Sequence, residues 1–139
     1  AGRVVEHAQT RTLFRSMRHP YTQALLQSIP RIGYPSHTRL PSISGSPPDL
    51  VAPPSGCRFS PRCRYAQDKC LRSDPSLDEL GFKRSNVDSA FHRYACFFPV
   101  GTSAGEQALK RNIEAGVSAA GTVVTAVELP TLQETVCVT

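Results

Sequence analysis

Four cysteines, Cys57, Cys63, Cys70 and Cys96, are separated by five, six and twenty-five residues, and they constrain this chain more than any other feature. The stretch that carries them, residues 57–99, has few long apolar runs, so it reads as irregular structure pinned from within rather than held by a core of its own. Composition supports that reading. Of 139 residues only 40% are hydrophobic, Trp is absent, and 12 prolines with 9 glycines interrupt the chain, so a large continuous core is not expected. Something besides burial should help to hold the chain together.

The chain shows no charged-then-apolar leader and no run of about 18 apolar residues that would span a membrane, and it is expected to be soluble and unsecreted. In a reducing compartment, grouped cysteines bind metal more often than they form disulfides. Zinc sites made of four cysteines commonly use tight pairs two residues apart, and no such pair is present here. An iron–sulfur cubane offers irons at separate corners, so its ligands can come from loops with longer gaps. Spacing alone thus favours an iron–sulfur cluster, and leaves zinc, disulfides or free structural thiols open. Pro61 and a turn at Gly56 would help these loops bend. Arg58, Arg62, Arg64 and Lys69 lie between the first three cysteines, where they either offset thiolate charge or form an exposed basic surface. His92, four residues before Cys96, reads as a structural histidine and is left out of the site, and Cys137 lies far away in the tail.

Elsewhere the patterns predict short elements. Residues 1–6, AGRVVE, read as the end of a strand without a nearby partner, which implies missing sheet. Residues 10–17 predict a turn or two of helix with Thr10 as cap and Leu13, Phe14 and Met17 on one side. From His19 to Ile29 a better helix is predicted, with Pro20 in its first position, Ala24, Leu25, Leu26 and Ile29 on its apolar face, and Pro30 as its stop. The string His19, Pro20, Tyr21 and Thr22 reads as the start of that helix, not as a catalytic pair, because no acid or nucleophile accompanies it. From Arg31 to Gly56 the prolines forbid regular structure, and Leu40, Ile43, Leu50 and Val51 suggest an extended segment docked on a surface. Beyond Pro99 a weakly amphipathic helix over Gly105–Gly116 and a Val-rich strand over Thr122–Leu129 are predicted, with no chemistry assigned to them. The fold class is a small irregular α+β: a short N-terminal strand remnant, one or two short helices, a Pro-rich extended segment and a metal-pinned four-cysteine loop region.

Charge is uneven. Residues 1–72 carry 11 Lys and Arg against 3 Asp and Glu, whereas residues 73–139 carry 5 against 8. The arginines are scattered among prolines and form neither a helix stripe nor a base-stacking pattern, so a solvated basic surface is favoured and no nucleic acid is expected.

Taken together, LFRSMRHPYTQALLQSIP, LPSISGSPPDLVAPPSGCRFSPRCRYAQDKC and HRYACFFP follow one another in an order that resembles the C-terminal extension of the ATP-binding subunits of bacterial oligopeptide and dipeptide ABC transporters. The resemblance runs from Gly2 to about Pro99, and AGRVVE is similar to the end of that family's ATPase domain. It implies residues 1–18 as a remnant of the ATP-binding domain, 19–100 as the accessory domain and 101–139 as a tail outside the resemblance. It also implies a four-iron (4Fe-4S) cluster held by Cys57, Cys63, Cys70 and Cys96, structural or regulatory in role. The implied partners are a second ATP-binding subunit and membrane permease subunits, with the whole subunit peripheral on the cytoplasmic face and without a span of its own. ATP would be used only by a full-length subunit: no G-x-x-x-x-G-K-[ST] loop, no Ser-Gly-Gly signature and no apolar strand ending in paired acids occurs here. The chain by itself is therefore not expected to be an enzyme, and with Ala1 in first place it reads as a fragment or gene remnant. The alternative is a free-standing zinc- or cluster-stabilised adaptor that binds nucleic acid or protein through its basic half.

Overall fold

The alternating Val4, Val5, Glu6 run leads into a two-residue strand, β1 (Glu6–His7), and the strand is not alone. In a computed structural model describing residues 2–30, 37, 42–46, 49, 51–77 and 92–126, it pairs antiparallel with β2 (Arg93–Tyr94), Glu6 opposite Tyr94 and His7 opposite Arg93. The Ala95 amide extends the ladder to the Val5 carbonyl at 2.8 Å. The expectation of a lone strand is thus corrected: its partner lies so far along the chain that no local pattern could announce it.

Glu6 does more than pair. Its carboxylate is 1% exposed, and its oxygens accept from the Arg18 amide at 2.6 Å, the His19 amide at 3.1 Å and the His92 Nε2 at 2.7 Å. A buried carboxylate is an acceptor with several lone pairs, and here three donors fill them. Two of those donors belong to the residues just before α2 (Pro20–Gln27), so the strand grips the helix by its start.

The predicted helix after His19 forms as α2, with Pro20 in its first position. His19 is its cap: Nδ1 accepts from the Tyr21 amide at 3.1 Å. Burial lowers the His19 pKa to about 4, against the opposing pull of Glu6 and a hydrogen bond to the Ala95 backbone, so the cap works as a neutral ring. The preceding helix, α1 (Thr10–Ser16), begins after Gln9 rather than after Thr10, and no side chain caps it. Met17 is buried and Leu13 partly so, but Phe14 is half exposed.

The later elements are α3 (Asp68–Arg72) and α4 (Ser103–Ala115). Thr102 caps α4, its Oγ1 accepting from the Gly105 amide at 3.2 Å, and Gly116 ends the helix in the left-handed region at φ 71°, where a side chain would be strained. Gly105 is tight as well: a Cβ there would lie 2.1 Å from the Pro99 carbonyl oxygen. After α4 the chain turns back with a single bridge between Val117 and Val123, and Val124 is 2% exposed. The predicted Val-rich strand is reduced to that bridge among the described residues, and residues 127–129 lie outside them.

The core centres on Cys63, Tyr65 and Ala66, with Phe59, Phe98, Val100, Leu109 and Ala120 packed against them. Arg18 joins the N-terminal strand to the segment before α4: its amide-side partner is Glu6, its guanidinium donates to the Val100 and Gly101 carbonyls at 2.9 Å each, and its own carbonyl accepts from the Val100 amide at 2.8 Å. In the Pro-rich segment Ile43 faces a cleft lined by Pro20, Phe59 and Tyr65, whereas Val51 is 94% exposed; Leu40 and Leu50 lie outside the described residues. No helix among the described residues is long and apolar enough to cross a membrane.

Replacing Glu6 by Ala removes the acceptor from three buried donors, and should lower the free energy of unfolding by about 2–4 kcal/mol. Urea unfolding measures it; a loss under about 0.5 kcal/mol would mean that the carboxylate is not the anchor.

Candidate metal centre

Each cysteine is placed by backbone geometry. Cys57 opens a one-turn 3-10 helix (Ser60–Arg62): its carbonyl accepts from the Ser60 amide at 2.9 Å, and Cys63 caps the other end by donating to the Ser60 carbonyl at 3.1 Å. Pro61 sits inside that turn, where a missing N–H costs nothing. Cys70 lies on α3, and its carbonyl accepts from the Cys57 amide at 2.8 Å, which brings the first and third cysteines together. Gly56 makes that approach possible, since a Cβ there would come 2.3 Å from the Cys70 oxygen. The chain bends at Gly56, as expected from sequence, and the close approach is a second role. Cys96 follows β2 directly, so the sheet carries it back to the others.

All four sulfur-bearing side chains line one small internal cavity, together with His19, Pro20, Phe59, Ser60, Tyr65, Pro75, Phe97 and Phe98. None is in a disulfide: Cys57, Cys63, Cys70 and Cys96 are free thiols. Burial raises the pKa of every one, well above the ordinary value for Cys63 and to about 12 for Cys96. Mutual repulsion adds to this, because Cys63 and Cys96 each feel the other cysteines. Backbone hydrogen bonds pull the opposite way, from Phe59 and Ser60 to Cys57, from Tyr65 to Cys63 and from Phe98 to Cys96. Four such groups stay neutral thiols unless a cation joins them, and a metal that binds them must displace their protons. Ser60, 1% exposed, keeps a hydroxyl oxygen with no hydrogen-bond partner among the described residues, beside the same cavity.

The donor set suits a thiophilic centre. Among the described residues no three His, Cys, Asp or Glu side chains are gathered closely enough to hold one metal ion. A single tetrahedral zinc draws its thiolates to about 2.3 Å of one point, whereas a cluster takes one thiolate per iron and spreads them. Four thiols are chemically compatible with either donor set.

The basic side chains between the cysteines divide in role. Lys69 lies 4.4 Å from the Phe97 ring centroid and lowers the Cys70 pKa against burial. Arg62 stacks over Phe59 at 5.8 Å, and Arg64 donates to the Thr125 carbonyl at 2.7 Å. Two of the arginines expected to offset thiolate charge or coat a basic face are thus used in packing the fold. His92 binds Glu6, in keeping with its exclusion from the site.

Three residues that support the site were missed from sequence. Glu6 left no local signal. Asn112 did: Gly105, Ala108 and Asn112 recur at helical spacing, and all three are buried on the face of α4 that meets the cysteine segment. Gln67, just before α3, donates to the Asn112 Oδ1 at 2.7 Å. The pin on the cysteine loop is therefore not wholly internal: in this structure backbone hydrogen bonds and α4 hold it.

Known proteins resemble this part of the chain. Residues 5–70 match the family described as oligopeptide/dipeptide transporter, C-terminal region. These residues belong to that family. The oligopeptide transport ATP-binding protein OppD of Mycobacterium tuberculosis is 43% identical over 96 residues, covering 69% of this chain and 14% of the relative. The dipeptide transport ATP-binding protein DppD of Haemophilus influenzae is 39% identical over 84 residues (60% of this chain, 25% of the relative), and that of Escherichia coli 41% over 86 residues (62% and 26%). The chain thus spans about a quarter or less of the length of these relatives. The family match includes Cys57, Cys63 and Cys70 and ends there, so Cys96 lies beyond it.

Because Gly56 abuts the Cys70 carbonyl, Gly56→Ala should break the Cys57–Cys70 backbone contact at a cost of about 1–3 kcal/mol. Thermal unfolding with site-resolved thiol alkylation checks this. Unchanged stability and unchanged Cys57 and Cys70 reactivity would show that the two strands of chain need not touch.

Proposed function

We propose that this chain is the C-terminal part of an ATP-binding subunit of a peptide importer, and that Cys57, Cys63, Cys70 and Cys96 hold an iron–sulfur cluster that braces it. The observation that carries the cluster reading is the sharing of one buried cavity by four free thiols drawn from three separate segments. The importer reading rests on the family to which residues 5–70 belong and on relatives named as oligopeptide and dipeptide transport ATP-binding proteins.

Within this reading the residues divide the work simply. Cys57 and Cys63 offer two thiolates from the ends of one short turn, Cys70 a third from α3, and Cys96 a fourth from behind β2. The bound cluster supplies the positive charge that lets four buried thiols ionise, and cross-links the three segments. Protein ligands at all four corners leave no open position for substrate chemistry, so the centre is structural, with redox sensing as a secondary property. The whole subunit would sit on the inner face of the cell membrane with a second ATP-binding subunit and the permease subunits. ATP would be bound by residues outside this chain.

The full chain purified without oxygen should be brown and contain about four irons and four sulfides. Stoichiometric zinc with no labile sulfide would overturn the cluster. Cys63→Ser should abolish iron loading and open the loop around residues 57–77 to protease while leaving α2 helical by circular dichroism; full protease resistance in that variant would remove the structural role.

A further inference from the structure

The turn between Cys63 and Cys70 is held partly by its own groups and partly from outside. Ala66 is completely buried, its amide donates to the Cys63 carbonyl at 3.3 Å, and the Gln67 carbonyl accepts from the Cys70 amide at 2.8 Å. The two cysteines are thus tied by their backbones to two adjacent residues, Ala66 and Gln67, of a four-residue step, residues 64–67. That step is gripped from outside the family-matching residues by α4. Asn112, 5% exposed, donates through Nδ2 to the Arg64 carbonyl at 2.8 Å and the Ala66 carbonyl at 3.0 Å, and accepts through Oδ1 from Gln67 Nε2 at 2.7 Å. Gln67 Nε2 also reaches the Ala66 carbonyl at 3.1 Å and the Ala108 carbonyl at 3.3 Å, and the Ala119 amide donates to Ala66 at 3.2 Å. One amide therefore uses both of its donors and one acceptor site on three groups of a single short step, in a place that water does not reach.

We infer that Asn112 is a positioning residue of the cysteine centre, which sets the spacing of Cys63 and Cys70 by clamping residues 64–67. The claim goes beyond the metal reading, since it concerns the thiols whether or not anything binds them. It makes residues beyond the family match part of the site. Chemistry dictates an amide at this position: a carboxylate of the same shape would turn an oxygen toward two carbonyl oxygens, and Ala would leave two carbonyls and the Gln67 amide without that partner.

The test uses the full chain with Asn112→Asp, Asn112→Ala and Gln67→Ala, and Lys110→Ala on the exposed side of α4 as control. In metal-free protein, alkylation at each cysteine is followed by peptide mass mapping. Cys63 and Cys70 should react about tenfold faster in the Asn112 variants, less so in Gln67→Ala, with Cys57, Cys96 and the control unchanged. An equal rise at all four cysteines would mean general loosening and overturn the inference, as would no rise at all. In anaerobically loaded protein, an iron chelator should strip Asn112→Asp about tenfold faster than the parent chain, and equal rates would likewise overturn it. A parent chain that takes up no iron or sulfide would defeat the metal reading alone, because the alkylation arm still decides the role of Asn112.

Discussion

Glu6 is the residue on which the rest of the arrangement depends. It lies in a two-residue strand that could not persist in isolation, yet its carboxylate accepts from the amides that precede α2 and from His92 beside β2. A fully buried acid is tolerable only when its lone pairs are filled, and filling them obliges the strand, the helix start and the returning chain to meet at one point. That meeting brings Ala95 to Val5 and His19, and so carries Cys96 to the side of α2 where the other cysteines wait.

Around that anchor the cysteine segment is sandwiched. On one side α2 offers His19, Pro20 and Gln23, with Tyr65 donating to the Gln23 side chain at 3.1 Å and Tyr21 edge-on to Phe59 at 5.3 Å. On the other side α4 and the turn after it supply Ala108, Asn112, Thr122 and Val124, and Thr122 donates to the Pro61 carbonyl at 2.9 Å. A chain with so little apolar surface secures its centre with hydrogen bonds to backbone carbonyls in place of a large core. Such bonds are directional, so they fix positions as well as adding stability.

Much of the local structure was legible. Pro20 after His19 announced a helix start, Gly116 announced an end, and the short gaps among Cys57, Cys63 and Cys70 announced that these thiols lie near one another. These succeeded because each depends on neighbours in the chain: a fixed φ, a left-handed φ, a thiol every few residues. The failures have a common cause as well. Thr10 looked like a cap although no side chain caps that helix, and the N-terminal strand looked partnerless although it pairs with β2. In each case a long-range contact, or its absence, outweighed a local preference.

The sequence by itself determined the chemistry available: four thiols on loops, a basic first half, and the order of motifs that residues 5–70 share with the transporter family. It determined the helices wherever caps and stops are local. Only the tertiary structure decided that the four thiols face one cavity, that β1 has a partner, and that α4 closes over the cysteine turn. Those outcomes rest on pairs such as Glu6 with His92 and Asn112 with Ala66. Their separation along the chain leaves no periodicity to read, and their energy comes from desolvated hydrogen bonds that exist only once the chain has folded.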